Sequence, residues 1–473
     1  MKKWKFYYAV ACLTSLPFAS CEDETTITFD STSQRKIETV NYKALFSESH
    51  AIPWNEALEI AEQAARLYFD DEGNGNLKNA RLPRNPSIGG FIVAEKGSSL
   101  KSSDYNIDDD TLAYICNYAD SAGFAIICAD NRVGCPILAC CDYGTLHDTI
   151  ENEGLAIFLE NLQPFIEARI DSFEATKDSL LQNIGFADFE TIANNHLKSK
   201  TTGTFTLSKG LQEVKPLLHT RWAQSGNPYN TLTRTCSNQT GNVPAGCWSV
   251  AISQIMAYYK HPNYIQYYDP IRKQNVTTTL HWNSITESYN AYSLSNEYQT
   301  EVSRLLYGNG LKIDTDYGCD GSSASEDKAM RYMKEIGYKS CTSEKYNNSL
   351  VLDLLNARRP VLMNGKSKRK KKLFGLINKY SGGHAWIVDG YNATVMEDYS
   401  YVADLNAGSV ETKLLKTYLS DIYLHVNWGW GGIYNGYFDA GCFDISKAKN
   451  YDTSSGRETT NYQYQQGIFI VWR

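Results

Sequence analysis

Apolar residues recur at helical spacing over residues 54–69, at Ala57, Leu58, Ala61, Ala64, Ala65 and Tyr68, and the spacing returns over residues 155–173. Between these stretches, residues 114–118 and 124–128 are short apolar runs on either side of Asp120-Ser121-Ala122-Gly123, which predicts two strands joined by a turn. A third helical stripe, Trp248, Ile252, Ile255, Met256 and Tyr259, follows Gly246-Cys247 and stops at His261-Pro262. Residues 196–214 are polar and carry Lys198, Lys200 and Lys209, the expected linker and the place where processing would cut an exposed chain. Beyond residue 215, Gly, Trp, Tyr and short strands predict a large α+β domain.

Composition narrows the picture. A chain of 473 residues suggests two or three domains, and 42 % hydrophobic with 21 % charged residues is ordinary for a globular protein. A net charge of −7 argues against a nucleic-acid partner, which would need a basic face. Lys2, Lys3 and Lys5 precede a mostly apolar stretch over residues 6–18, too short to span a bilayer as a mature helix. With Ala19-Ser20-Cys21 after it, residues 1–20 resemble a bacterial lipoprotein signal, Cys21 being the lipidation site and residues 21–50 a tether. The expected location is outside the cell's inner membrane, as an outer-membrane or cell-surface lipoprotein or else as a secreted protein. The cysteines do not look like a disulfide framework. Five lie after residue 200, so at least one of these thiols lacks a partner within its own domain.

The chemistry starts at Cys247. Its place at a predicted helix N-terminus favours a thiolate, because the free backbone N–H groups there carry partial positive charge. A thiolate nucleophile needs an imidazole close in space. His261 is fourteen residues further along the same helix, about 20 Å away at 1.5 Å per residue. His384 is the better candidate: Gly382 and Gly383 precede it, the apolar run Ala385-Trp386-Ile387-Val388 follows, and it lies 137 residues (384 − 247) beyond Cys247. Asn427, at the end of a short strand, is expected to accept the imidazole N–H, with Trp428 shielding that bond; His425 is a weaker alternative base. The oxyanion of a tetrahedral intermediate needs donors, for which the Cys247 N–H and the side chain of Gln224 are available. Asn227 and Asn230 look more like turn formers beside Gly226 and Pro228. No metal-ligand spacing or phosphate loop is present, and no cofactor is expected. The basic run over residues 366–372 reads as a solvated loop.

Trp222-Ala223-Gln224, Gly246-Cys247 with Ser253-Gln254-Ile255-Met256-Ala257, Gly383-His384-Ala385 with Asp389-Gly390-Tyr391, and Val426-Asn427-Trp428-Gly429-Trp430-Gly431, in this order, resemble the streptopain (interpain-like) family of bacterial papain-fold cysteine peptidases. The resemblance implies an α+β papain-like catalytic domain over residues 215–473, preceded by a smaller α+β inhibitory pro-domain over residues 51–195. It implies Cys247 as nucleophile, His384 as base, Asn427 and Trp428 as the orienting pair and Gln224 as oxyanion donor. Ser322, Ser323 and Gly383 would line the substrate cleft. The partners it implies are protein or peptide substrates and the chain's own pro-domain, with the membrane met only through the lipid anchor. Two readings from other classes use the same residues: a surface binding or inhibitor module without activity, and an acyl transferase.

Overall fold

The computed structural model describes residue 44 and residues 49–69, 84–93, 111–147, 150–183, 200–237, 240–340, 344–366, 383–404, 409–444, 451–452, 457–458 and 467–473. The calls on the signal at 1–20, on Cys21 and on residues 367–372 fall outside the described residues.

In the N-terminal half, helix α1 (Trp54–Phe69) buries Ala57, Ala61, Ala64 and Ala65, small side chains that let it lie close against a sheet. The sheet is antiparallel: β1 (Ser87–Val93), β2 (Thr111–Asn117), β3 (Phe124–Cys128) and β4 (Ile137–Cys141). Every residue of β3 and β4 is buried, as expected of strands covered on both faces. The single helix expected over residues 155–173 is two, α2 (Glu153–Glu160) and α3 (Leu162–Asn183), parted at Asn161. Asn152 caps α2 by accepting from the Leu155 N–H at 3.0 Å, and all of α2 after Glu153 is buried, so this helix is sunk into a core.

The C-terminal half begins with β5 (Lys200–Val214) and α4 (Cys247–Tyr259), followed by the hairpin β6 (Tyr264–Asp269) and β7 (Gln274–Thr279). Then come α5 (Trp282–Ile285), α6 (Asn296–Lys312), β8 (Asp316–Gly318), β9 (Gly321–Ser323), α7 (Glu326–Glu335), β10 (Lys339–Ser340), β11 (Glu344–Lys345) and α8 (Asn348–Asn356). The remaining strands are β12 (Val361–Lys366), β13 (Gly383–Asp404), β14 (Ser409–Asn427), β15 (Gly436–Asp439), β16 (Tyr451–Asp452), β17 (Arg457–Glu458), β18 (Gly467–Phe469) and β19 (Val471–Trp472).

One sheet runs through both halves in the order β1-β2-β3-β4-β15-β14-β13-β12-β18-β11. The join is β4 against β15, with Cys141 opposite Gly436, Cys140 opposite Tyr437 and Ala139 opposite Phe438. Two expectations change here. Strands β13 and β14 are 22 and 19 residues long, not short. The stretch expected to be a linker runs from Lys200 as strand β5 along the outer part of β13, a conformation suited to its β-branched threonines.

Alternation along β13 and β14 divides the interior into two cores. Trp386, Val388, Val426 and Trp428 face one core, shared with Leu155, Phe158 and the N-terminal strands. Ala385 and Ile387 face the other, shared with α4, α6 and α7. The cysteines were not expected to form a disulfide framework; among the described residues one pair, Cys236 and Cys319, is bonded, with 5.7 Å between their Cα atoms. The described free cysteines are all buried; in the N-terminal half, burial pushes the thiols of Cys116, Cys128, Cys135 and Cys140 up to about 12, which leaves them unreactive.

Candidate active site

Cys247 is the first residue of α4, as its spacing predicted. Gly246 makes this possible: it sits at φ 93°, in the region that favours glycine, and a Cβ there would meet the Ser322 Cβ at 3.4 Å. The Cys247 sulfur therefore lies against unpaired N–H groups at the positive end of a 13-residue helix. Two flanking segments are tied to this turn. Ala245 donates its N–H to the Gln224 carbonyl at 2.7 Å, and the Ser322 hydroxyl donates to the Pro244 carbonyl at 2.6 Å. These bonds tie the Gln224 main chain and the Ser322 side chain to the residues just before Cys247. Ser323 is exposed on β9 beyond it. Asn230 donates to the Asn242 carbonyl and Asn227 to Gln299, so both are used in loop structure.

His384 follows Gly383 at the start of β13, where Gly383 pairs with Lys366 of β12. Its imidazole is buried, and Cys247 is among the groups that raise its pKa. Its other contacts are the Trp428 carbonyl, 2.9 Å from Nε2, and the Glu153 carboxylate, 3.1 Å from Nδ1. A carbonyl can only accept, and so can an ionised carboxylate. Both ring nitrogens therefore carry hydrogen, and the ring is an imidazolium. Burial pulls its pKa down, but the neighbouring Cys247 and Glu153 outweigh burial and raise it to about 10.

The expected bond from His384 to Asn427 is not made. Asn427 stands opposite Ile387 and faces the core of α4, whereas the His384 ring lies parallel to Trp386 on the other face, 6.3 Å between centroids. The Asn427 side chain instead accepts from the Gly429 N–H at 3.1 Å and donates to the Thr220 carbonyl at 2.9 Å. Orientation of the ring falls to the main chain of the next residue, Trp428. The Trp428 side chain is fully buried, 5.4 Å from Trp386 and 5.2 Å from Phe438 between ring centroids, and does not cover an Asn427–imidazole bond. His425 is occupied elsewhere, 2.6 Å from the Asp389 carboxylate, whose second oxygen accepts from the Leu218 N–H.

Sequence reasoning missed Glu153. Asn152-Glu153-Gly154 ahead of an apolar run marks a helix start, but nothing in it points 231 residues ahead to His384. Gly154 explains how the helix comes so near: a Cβ there would lie 2.3 Å from the Trp428 ring and 2.8 Å from the His384 ring. Helix α2 thus covers the imidazole edge, and Cys247 and His384 are 5 % and 1 % exposed.

Residues 222–438 match the Peptidase C10 family, and residues 51–166 match the Spi protease inhibitor. Streptopain of Streptococcus pyogenes is 25 % identical over 279 residues, 52 % of this chain and 60 % of streptopain, so the chain spans less than two thirds of that relative. The thiol protease/hemagglutinin PrtT of Porphyromonas gingivalis is 25 % identical over 250 residues, 49 % of this chain and 24 % of PrtT. A solved fragment of prointerpain A from Prevotella intermedia aligns with 77 % of this chain and 96 % of its own, at 18 % identity and a TM-score of 0.45. The family resemblance seen in the motifs is borne out, and so is the order of an inhibitor-like segment followed by a peptidase-like one.

Proposed function

We propose that the chain, whose residues 222–438 match the Peptidase C10 family and residues 51–166 the Spi protease inhibitor, is the precursor of an exported bacterial cysteine endopeptidase, held latent by its own N-terminal part. In the matured enzyme the Cys247 thiolate attacks a peptide carbonyl, forming a C–S bond. The negative charge that develops on oxygen is met by the Cys247 N–H and the Gln224 side-chain amide. The imidazolium of His384 gives its proton to the departing amine, leaving a thioester and a neutral ring. Water then attacks the thioester, His384 takes one of its protons, and the C–S bond breaks to release the acid product and restore the thiolate beside the imidazolium. The Trp428 carbonyl, fixed through Asn427, holds the ring in place, and Ser322, Ser323 and Gly383 border the bound peptide.

The observation that carries this reading is Cys247 at a helix N-terminus together with a buried His384, held by the Trp428 carbonyl, whose pKa Cys247 helps to raise. Latency is supported by what covers it. Glu153 occupies the imidazole, and the Gly154 turn fills the space beside Trp428, which favours a site kept shut while α2 stays in place. Cleavage in the region of residues 196–214 would part a pro-domain over residues 51–195 from a catalytic domain over residues 215–473. Residues 1–20 would direct export, with Cys21 as the acylated anchor; labelled palmitate entering the wild type but not Cys21→Ser checks this. The function is tested by incubating the purified precursor with casein and sequencing new N-termini. Casein cleavage and a new N-terminus near residues 196–214, both absent in Cys247→Ala, are expected; an unaltered wild-type precursor and intact casein would contradict the reading.

A further inference from the structure

The interior of helix α4 is apolar at Val250, Ile252, Ile255 and Met256, but at Gln254 a 1 % exposed amide takes part in four hydrogen bonds. Gln254 is seven residues after Cys247, two turns along the helix and so on the same face. Its Oε1 accepts from the Thr220 hydroxyl at 3.1 Å, from the Trp222 N–H at 3.1 Å and from Asn427 Nδ2 at 3.4 Å. Its Nε2 donates to Asn427 Oδ1 at 3.3 Å.

These partners are the two chain segments that flank the thiol. Trp222 leads directly to Gln224, and the Trp222 carbonyl accepts from Gly431 at 3.1 Å. Asn427 bridges to the Gly429 N–H, so its side chain spans the peptide that presents the Trp428 carbonyl to His384. The amide pair Gln254–Asn427 therefore sets where that carbonyl points. The bond to Trp222 sets where the segment of Gln224 lies relative to the helix of Cys247. An apolar side chain would fill the volume but would leave the Trp222 N–H and both polar ends of Asn427 with fewer partners in a buried place.

We infer that Gln254 is a positioning residue for hydrolysis: a single amide that fixes the imidazole-holding carbonyl and the segment carrying the oxyanion donor to the nucleophile's own helix. The inference rests on the peptidase reading above. A displacement of about 1 Å in such a shell costs on the order of 100-fold in rate, so the loss falls on kcat and leaves KM within about threefold.

The test uses the full chain, matured by a catalytic amount of wild-type protein, with wild type, Gln254→Leu and Gln254→Glu compared. Gln254→Leu should lose about 100-fold in kcat with little change in KM. Gln254→Glu keeps an acceptor for Trp222 but, when ionised, has no hydrogen for Asn427. It should be impaired at neutral pH and regain activity in acid, where its buried carboxyl is protonated and again donates. A residue that only packs would show no such pH-dependent rescue. The rate of Cys247 alkylation, which requires no turnover, should also fall in Gln254→Leu as the imidazolium loses its fixed place. Unchanged kcat, pH profile and alkylation rate in folded variants overturn the role of Gln254. If Gln254→Leu does not fold, an unaltered pH profile in Gln254→Glu overturns it equally. Wild-type protein that hydrolyses no peptide counts against the peptidase reading, and the alkylation rates still decide for or against Gln254.

Discussion

The two faces of the β13–β14 ribbon are built in different ways. On the face toward α4, Asn427, His425 and Asp389 are closed by bonds to Gln254, Thr220 and Leu218, all from the C-terminal half. On the opposite face, His384, Trp386 and Trp428 are closed by Leu155, Phe158, Gly154 and Glu153, all from the residues that match an inhibitor. One face is permanent and polar. The other is apolar, and its cover is tied to the reactive imidazole by one carboxylate. The contrast teaches how a site can be assembled yet kept shut: the geometry is held from behind while the front is plugged.

The largest effect should follow from removing the nucleophile. Cys247→Ala is expected to abolish both self-processing and peptide hydrolysis, a loss on the order of 10⁶-fold in kcat, checked by gel analysis and peptide assay while the melting temperature stays near that of the wild type. Next, the plug should be separable from the site. Gly154→Ala forces a Cβ into the Trp428 and His384 rings, and should raise hydrolysis by the uncut chain at least about tenfold. Quantifying early turnover before any cut appears tests this, and no rise would remove Gly154 from the plug.

A smaller effect concerns the disulfide of the C-terminal half. The Cys236–Cys319 bond closes a separation of 83 residues, so Cys236→Ser with Cys319→Ser should cost about 4 kcal/mol by chain entropy, read from the urea midpoint. The smallest concerns pH. The His384 pKa is raised in the folded chain, from an ordinary 6.5 to about 10. Its contribution is present in full below pH 6.5 and is lost as pH rises toward 10. The melting temperature of the uncut chain should fall across that window, and less steeply in Glu153→Gln; equal slopes would contradict the ion pair.

Local signals in the sequence carried much of this. The spacing of Ala57, Ala61, Ala64 and Ala65 marked α1 within its true bounds, and Gly246-Cys247 ahead of an apolar stripe marked the start of α4. The proximity of Cys247 and His384, far apart along the chain, was reached through what a thiolate requires. What escaped depends on which way a strand faces and on which chain segments meet. Asn427 was expected at the imidazole because it lies near in sequence to the right loop, but alternation turns it to the other face and leaves the Trp428 carbonyl in its stead. Glu153 and the β4–β15 join are contacts between distant segments with no pattern of their own. The polar stretch at 196–214 resembled a linker because an edge strand needs little apolar surface.

The central claim is that Cys247 and His384 are already paired in the uncut chain and are closed off by Glu153 and α2. Timed alkylation with iodoacetamide, with Cys247 followed by peptide mass mapping, tests it most directly. Slow labelling of Cys247 in the uncut chain, fast labelling after processing and intermediate labelling in uncut Glu153→Gln are predicted. Equal labelling of Cys247 before and after processing would contradict it.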